Sequence, residues 1–405
     1  MLNITANPSN PTDPADRSEQ FDQFDPSDKS EKARLVKDTT FLTGNGDHRD
    51  TLVVIFLRGG ADGLNMLVPV EDDAYYAART QTAIRKAETE PLDNLFALHP
   101  LLKDLKPLFE EGQLLAVHGA GSEDTTRSHF EAQDYMEHGG ITAGGWLGRY
   151  LRAANAGTGA LSAVALGKTQ PECLRGAPGI LVMESFESLS FGEKAGQFLD
   201  TLLPAYEATP GLIGQAGRDL VAGVRRLAAL NQGAYVPEHG AHYPEGAFGQ
   251  NLARIAQLIK GRVGVRAATV DLDGWDAHFA SATLMNPLLR QLGGGLLAFA
   301  RDLGDTMHHT TVVVMTEFGR RVYENASFGT DHGRGSIMMA LGGGVQGGRV
   351  LHQWRGLRED ALEAPGDVPV AYNYRDVLAP ILQRLGSLRT LEQVFPDYPL
   401  TQVPV

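Results

Sequence analysis

Five short stretches carry most of the residues that could act together on a charged substrate. TEFGRR, at 316–321, places Thr316, Glu317, Arg320 and Arg321 directly after an apolar run, and GTDHG, at 329–333, delivers Asp331 and His332 between glycines. VDLDGWDAHF, at 270–279, holds Asp271, Asp273, Asp276 and His278, the densest group of acids with a histidine in the chain. Carboxylate and neutral imidazole are the ligand types that a Zn²⁺- or Mn²⁺-class ion takes. RGGADGLN, at 58–65, sets Arg58 and Asp62 among glycines that let the backbone turn sharply and expose its amides. SEDTTRSH, at 122–129, gathers Ser122, Thr125, Thr126 and Ser128 around Arg127 and ahead of His129. A hydroxyl there could attack an anionic centre with help from helix N-terminal amides, or could simply cap the helix. The other stretches have structural explanations too: Asp62 could satisfy its own turn, and the two acidic groups could be solvated loops.

The surrounding elements decide whether these groups can meet. Residues 51–57 and 311–315 are apolar or β-branched without alternation, which predicts strands buried on both faces, and another strand is expected at 265–272. Further strands are expected at 114–118, 161–167, 180–183 and 337–341, with an edge hairpin at 349–354. Helical patterns cover 101–111, 128–138, 146–155, 248–259, 286–303 and 374–385, and dominate 190–230. The alternation predicts an α/β fold, as one large domain or two smaller ones. In such sheets ligands bind at the C-terminal strand edge, which is where Asp62, Asp273 and Glu317 fall. Residues 234–245, with His239 and His242 among prolines and glycines, form a loop and a candidate lid whose histidines are expected in solvent.

At 405 residues the chain can bury a large core, and its net charge of −13 argues against nucleic-acid or anionic-membrane partners. Cys173 is the sole cysteine, so neither an intrachain disulfide nor a cysteine-based zinc site can form. No apolar run is long enough to span a membrane. Residues 1–50 are expected to form a polar, mostly disordered lead-in with a short amphipathic piece at 32–37. The lead-in lacks a basic segment followed by an apolar one, which makes the cytoplasm the default location.

The strand-end residues resemble those of the alkaline phosphatase superfamily, which includes phosphopentomutase, cofactor-independent phosphoglycerate mutase and the sulfatases. More narrowly, LRGGADGLN (57–65), TRSHFEAQDYME (126–137), DGWDAHF (273–279) and TEFGRR with GTDHG (316–333) resemble the bacterial family called domain of unknown function 1501, over residues 51–395. The resemblance implies a single alkaline-phosphatase-like α/β domain over 51–405, a mostly parallel central sheet sandwiched by helices, whose site holds up to two divalent metals, here zinc, manganese or calcium. Asp273, His278 and His332 match the first metal's ligands, and Asp62 matches a ligand of the second. Asp276 or Asp331 could add an oxygen or orient a histidine. Thr125 or Thr126 stands at the nucleophile position, with Ser128 a further candidate. One departure stands out: Glu317-Phe318 replaces an aspartate-histidine pair, and a phenyl ring cannot coordinate a metal.

The implied activity is hydrolysis or transfer at a phosphate or sulfate ester, small or polymer-borne. Arg58, Arg127 and Arg320 are candidate anion clamps, His118 or His129 a proton carrier, and Glu317 a base in a metal-free version. The alternative is a degenerate member serving as a binding or structural protein. Family members are often exported, although this sequence shows no export signal. Oligomeric state cannot be read from it.

Overall fold

The computed structural model of the chain describes residues 50–155, 159, 161–184, 195–230, 234–386 and 388–405. The expected amphipathic piece at 32–37, and all of the lead-in except Asp50, lie outside the described residues. The central strands are β1 (Thr51–Arg58), β2 (Leu114–Gly121), β3 (Ala163–Leu166), β4 (Ile180–Met183), β5 (Ala267–Asp273), β6 (Thr310–Met315), β7 (Ser336–Gly342), β8 (Arg349–Leu351) and β9 (Tyr372–Asn373). They form one sheet in the order β8-β2-β7-β6-β1-β5-β3-β4, with β9 pairing beside β2. β1 pairs parallel with both β5 and β6, whereas β7 is antiparallel to both of its neighbours.

The apolar strands are buried because both faces are used. On β1, Val53, Ile55 and Leu57 enter one core, and Leu52, Val54 and Phe56 enter the other. Helices Ala247–Lys260 and Ser281–Leu303 cover the first face; Trp146–Ala153 and Tyr374–Leu385 cover the second. The result is a mixed α/β sandwich with a mostly parallel sheet, as the resemblance implies.

Register then explains why distant residues meet. Arg58 pairs with Asp273 and Phe56 with Met315, so β1, β5 and β6 end at one edge. Because β7 runs the other way, its first residue, Ser336, lies at that same edge, opposite Ala120 near the end of β2. The segments after β1, β2, β5 and β6, and the one before β7, therefore all converge there.

Three local expectations need correcting. Residues 316–333 are not all loop: Arg320–Glu324 and Thr330–His332 pair antiparallel, closed by a turn in which the Asn325 amide bonds the Gly329 carbonyl. The segment 349–351 is a single parallel strand on β2 rather than a hairpin. The candidate lid is also no lid. The hydroxyls of Tyr235 and Tyr243 (2.6 and 2.7 Å) and the Glu238 amide (2.8 Å) donate to the buried Asp302 carboxylate, which also receives Lys260 Nζ. Asp302 closes helix Ser281–Leu303, which runs back from the site edge, so this knot lies about a helix length, some ~35 Å, away. His239 and His242 are exposed, as expected.

Candidate metal centre

Three imidazoles and one carboxylate come together at the convergent edge. Asp276 Oδ1 lies 3.0 Å from His278 Nε2, 3.2 Å from His332 Nε2 and 2.7 Å from an Arg320 terminal nitrogen. The two Nε2 atoms of His278 and His332 are 2.8 Å apart. On the other side, His129 Nε2 is 3.4 Å from Asp276 Oδ2. One ligand atom from each of His129, Asp276 and His332 falls within 4.8 Å of the others.

The second nitrogen of each ring fixes what faces inward. His332 Nδ1 is 2.8 Å from the Arg127 carbonyl, which can only accept, so Nδ1 carries the proton and Nε2 presents a lone pair. His129 Nδ1 is 2.8 Å from Glu317 Oε1, and its Nε2 is buried with no hydrogen-bond partner among the described residues. His278 Nδ1 faces Asp331 Oδ1 at 3.5 Å. The centre is thus lined by imidazole lone pairs beside a carboxylate, an arrangement that is favourable only with protons or a cation between them. Holding the outer nitrogen on an oxygen acceptor is how metal-ligating histidines are usually oriented. The donor set fits a divalent cation of the zinc or manganese class.

Electrostatics agree. Burial opposes ionisation of Asp276, but Arg320 and His332 hold its carboxyl well below the usual range. Burial also opposes ionisation of Glu317, and the His129 and Gln133 side chains outweigh it. The bond to Glu317 raises the His129 pKa, so protons compete with any cation for that ring. Burial lowers the His332 pKa, which favours a free lone pair.

Glu317 is the brace of the site. Its Oε1 accepts from the Gly59 amide, His129 Nδ1 and Gln133 Nε2, each at 2.8 Å. Phe318, which the sequence marks as a lost ligand, packs its ring 4.9 Å from both the His129 and His332 rings. Gly59 has φ +119°, and a Cβ there would sit 2.5 Å from the Asp276 amide, so only glycine lets the first and fifth strands' loops close.

Not every expected residue arrives. Asp273 ends β5 in an exposed position, and among the described residues no hydrogen bond or ion pair joins it to His278 or His332. Gly274, at φ +101°, turns the chain and the wholly buried Trp275 anchors it, which delivers Asp276 instead. His129 enters the centre from the start of helix His129–His138. Asp331 contacts His278 from outside.

Asp62 is held by Arg79 at 2.6 Å, with both side chains buried. Arg79 also donates to Asn65 and to the Val322 and Arg321 carbonyls. Asp62 Oδ1 is buried without a partner, but a single oxygen beside a fixed positive charge does not make a second cation site. The residues fit one cation, not two.

The candidate arginine clamps all have internal partners, Arg320 among them Asp276 of the centre itself. Arg58 pairs with Asp271 (2.6 Å) and Glu137 (2.8 Å); Arg127 pairs with Asp367; Arg320 bonds the carbonyls of Gly59, Gly60 and Thr330. Thr126 donates to Asp124 at 2.8 Å and Thr125 is exposed. Ser128 occupies the N-cap position of helix His129–His138 without making the cap bond. His118 lies away from the cluster, its ring stacked on Phe96 and edge-on to Trp354.

A family model described as "Protein of unknown function (DUF1501)" matches residues 124–391. The chain belongs to this family. The family match contains the segments bearing His129, Asp276, His278 and His332; RGGADGLN lies before it. No curated protein matches the sequence. Solved structures similar to it include a protein in the alkaline phosphatase superfamily from Vibrio parahaemolyticus (9% identity, 87% of this chain and 71% of that one, TM-score 0.39). Others are a sulfatase from Pseudoalteromonas sp. (12%, 90% and 73%, 0.39) and a lipoteichoic acid synthase from Listeria monocytogenes (9%, 78% and 73%, 0.35). Among the described residues, no helix is long and apolar enough to cross a membrane.

Proposed function

We propose that this family member is a hydrolase or transferase of an anionic phosphate or sulfate ester, working with one divalent cation. The observation that carries the reading is the convergence of His129 and His332, each with its outer nitrogen on an oxygen acceptor, beside Asp276 and His278. Asp276, His278, His332 and His129 would hold the ion, and Glu317 and the Arg127 carbonyl would orient two of the rings. When bound, the cation would supply Lewis acidity toward the ester oxygen and lower the pKa of water. Ser128, at a helix N-cap where its hydroxyl makes no cap bond among the described residues, is the best placed hydroxyl nucleophile; Thr126 first has to leave Asp124.

One observation favours a second reading, a binding protein built on the same centre. Arg58, Arg127 and Arg320 all have internal partners, leaving none of the three to clamp a substrate anion. Elemental analysis and turnover on a panel of phosphate and sulfate esters separate the two. Stoichiometric metal, turnover lost on chelation, and loss of both in folded His278→Ala and His332→Ala support the enzyme. Metal without turnover supports the binding protein, and absence of metal defeats both.

A further inference from the structure

We infer that Phe279 and Phe328 form an apolar shelf beside the cation centre that takes the organic group of the substrate, an apolar aryl or alkyl group; this rests on the ester reading above. Phe279 follows His278 directly and is 60% exposed, and Phe328, in the turn that leads to Asp331 and His332, is 57% exposed. The backbone segments that carry them are tied together. Ala280 and Ser281 amides donate to the Ser327 and Phe328 carbonyls at 2.9 and 2.8 Å, and the Thr330 amide donates to the Ala277 carbonyl. Asn325 Nδ2 ties the same turn to the His278 carbonyl at 2.9 Å. Across the centre, Phe130 follows His129 and is 86% exposed.

The backbone is strained to achieve this. Phe328 has φ +58° and Ala280 has φ +43°, left-handed values that a side chain other than glycine's adopts at a cost. A bulky ring kept at positive φ and yet left in water is not there for packing. Exposed apolar groups clustered beside a polar centre mark a binding surface. Phenylalanine brings no hydroxyl or N–H, so the shelf selects by apolar contact alone, while the cation takes the charged end.

The test uses non-hydrolysable probes on the full chain, loaded with whichever of Zn²⁺ or Mn²⁺ it retains. Methyl-, phenyl- and octylphosphonate, and the corresponding sulfonates, are titrated calorimetrically. The expected result is that phenyl or octyl binds at least tenfold tighter than methyl. The Phe279→Ala/Phe328→Ala double variant should bring this gain below threefold, with metal content and methyl-probe affinity unchanged. The phenyl and octyl arms tell a flat group from a chain. No gain over methyl, or a gain that survives the double variant, overturns the shelf and leaves the ester reading standing. If neither methyl probe binds, the ester reading falls and the shelf falls with it. Phenylalanine-dependent sedimentation with phosphatidylcholine vesicles would overturn it in favour of a membrane surface.

Discussion

Glu317→Gln is the sharpest probe of the centre, because it changes charge without changing shape. In the wild type a single carboxylate oxygen accepts three N–H bonds, from Gly59, His129 and Gln133. Bonds to a charged acceptor contribute about 1.5–3 kcal/mol each and neutral ones about 0.5–1.5, so three such bonds weaken by roughly 3 kcal/mol in all. The more specific effect falls on His129. With a weaker acceptor at Nδ1, the ring can shift its proton to Nε2 and lose the inward lone pair. Loss of such an outer partner lowers metal affinity about 10–100-fold. Competition with a chromophoric chelator at pH 7 measures the affinity, and urea unfolding of the metal-free protein measures stability. Stability falling while metal affinity stays within threefold of wild type would show Glu317 to be a packing brace only, and would refute the assignment of His129 as a ligand.

Asp276→Asn is expected to abolish metal retention while Asp273→Asn leaves it intact, as measured by elemental analysis; the opposite pattern would restore the assignment that the resemblance implies. Gly59→Ala should lose the metal and several kcal/mol of stability, because its Cβ meets the Asp276 amide at 2.5 Å and the φ is +119°. Burial pushes the His118 pKa down to about 3, so the folded state binds fewer protons there than the unfolded chain, whose histidine titrates near ~6.5. The stability this group supplies is whole above that value and falls by about 1.4 kcal/mol per unit as pH drops toward 3. His118→Phe, which keeps the stack on Phe96, should be less acid-sensitive than wild type in urea midpoints between pH 7 and pH 5, with His99, lowered to about 4 by burial, unchanged in both.

The sheet and its convergent edge were legible because strands buried on both faces show themselves as apolar runs, and β1 and β6 end within a residue of those runs, while β5 leads directly into the acidic stretch. His278 and His332 could be picked out by their place after such ends. The choice between Asp273 and Asp276 could not, since it depends on a positive φ at Gly274 and on the anchoring of Trp275 in the core. His129 was visible as a histidine at a helix start, but its membership depends on Glu317, 188 residues away. The arginines misled for the same reason: the acids that neutralise Arg58 and Arg127 lie 213 and 240 residues along the chain. Local sequence gives charge and position, while pairing is settled by the sheet order.

Arg79 has a consequence for how the molecule responds to its medium. By carrying a permanent positive charge into the place beside Asp62, held on two backbone carbonyls, it makes that corner indifferent to dissolved ions. Occupancy by a divalent ion should then rise along a simple hyperbola, with no sigmoid onset from a second, cooperating partner.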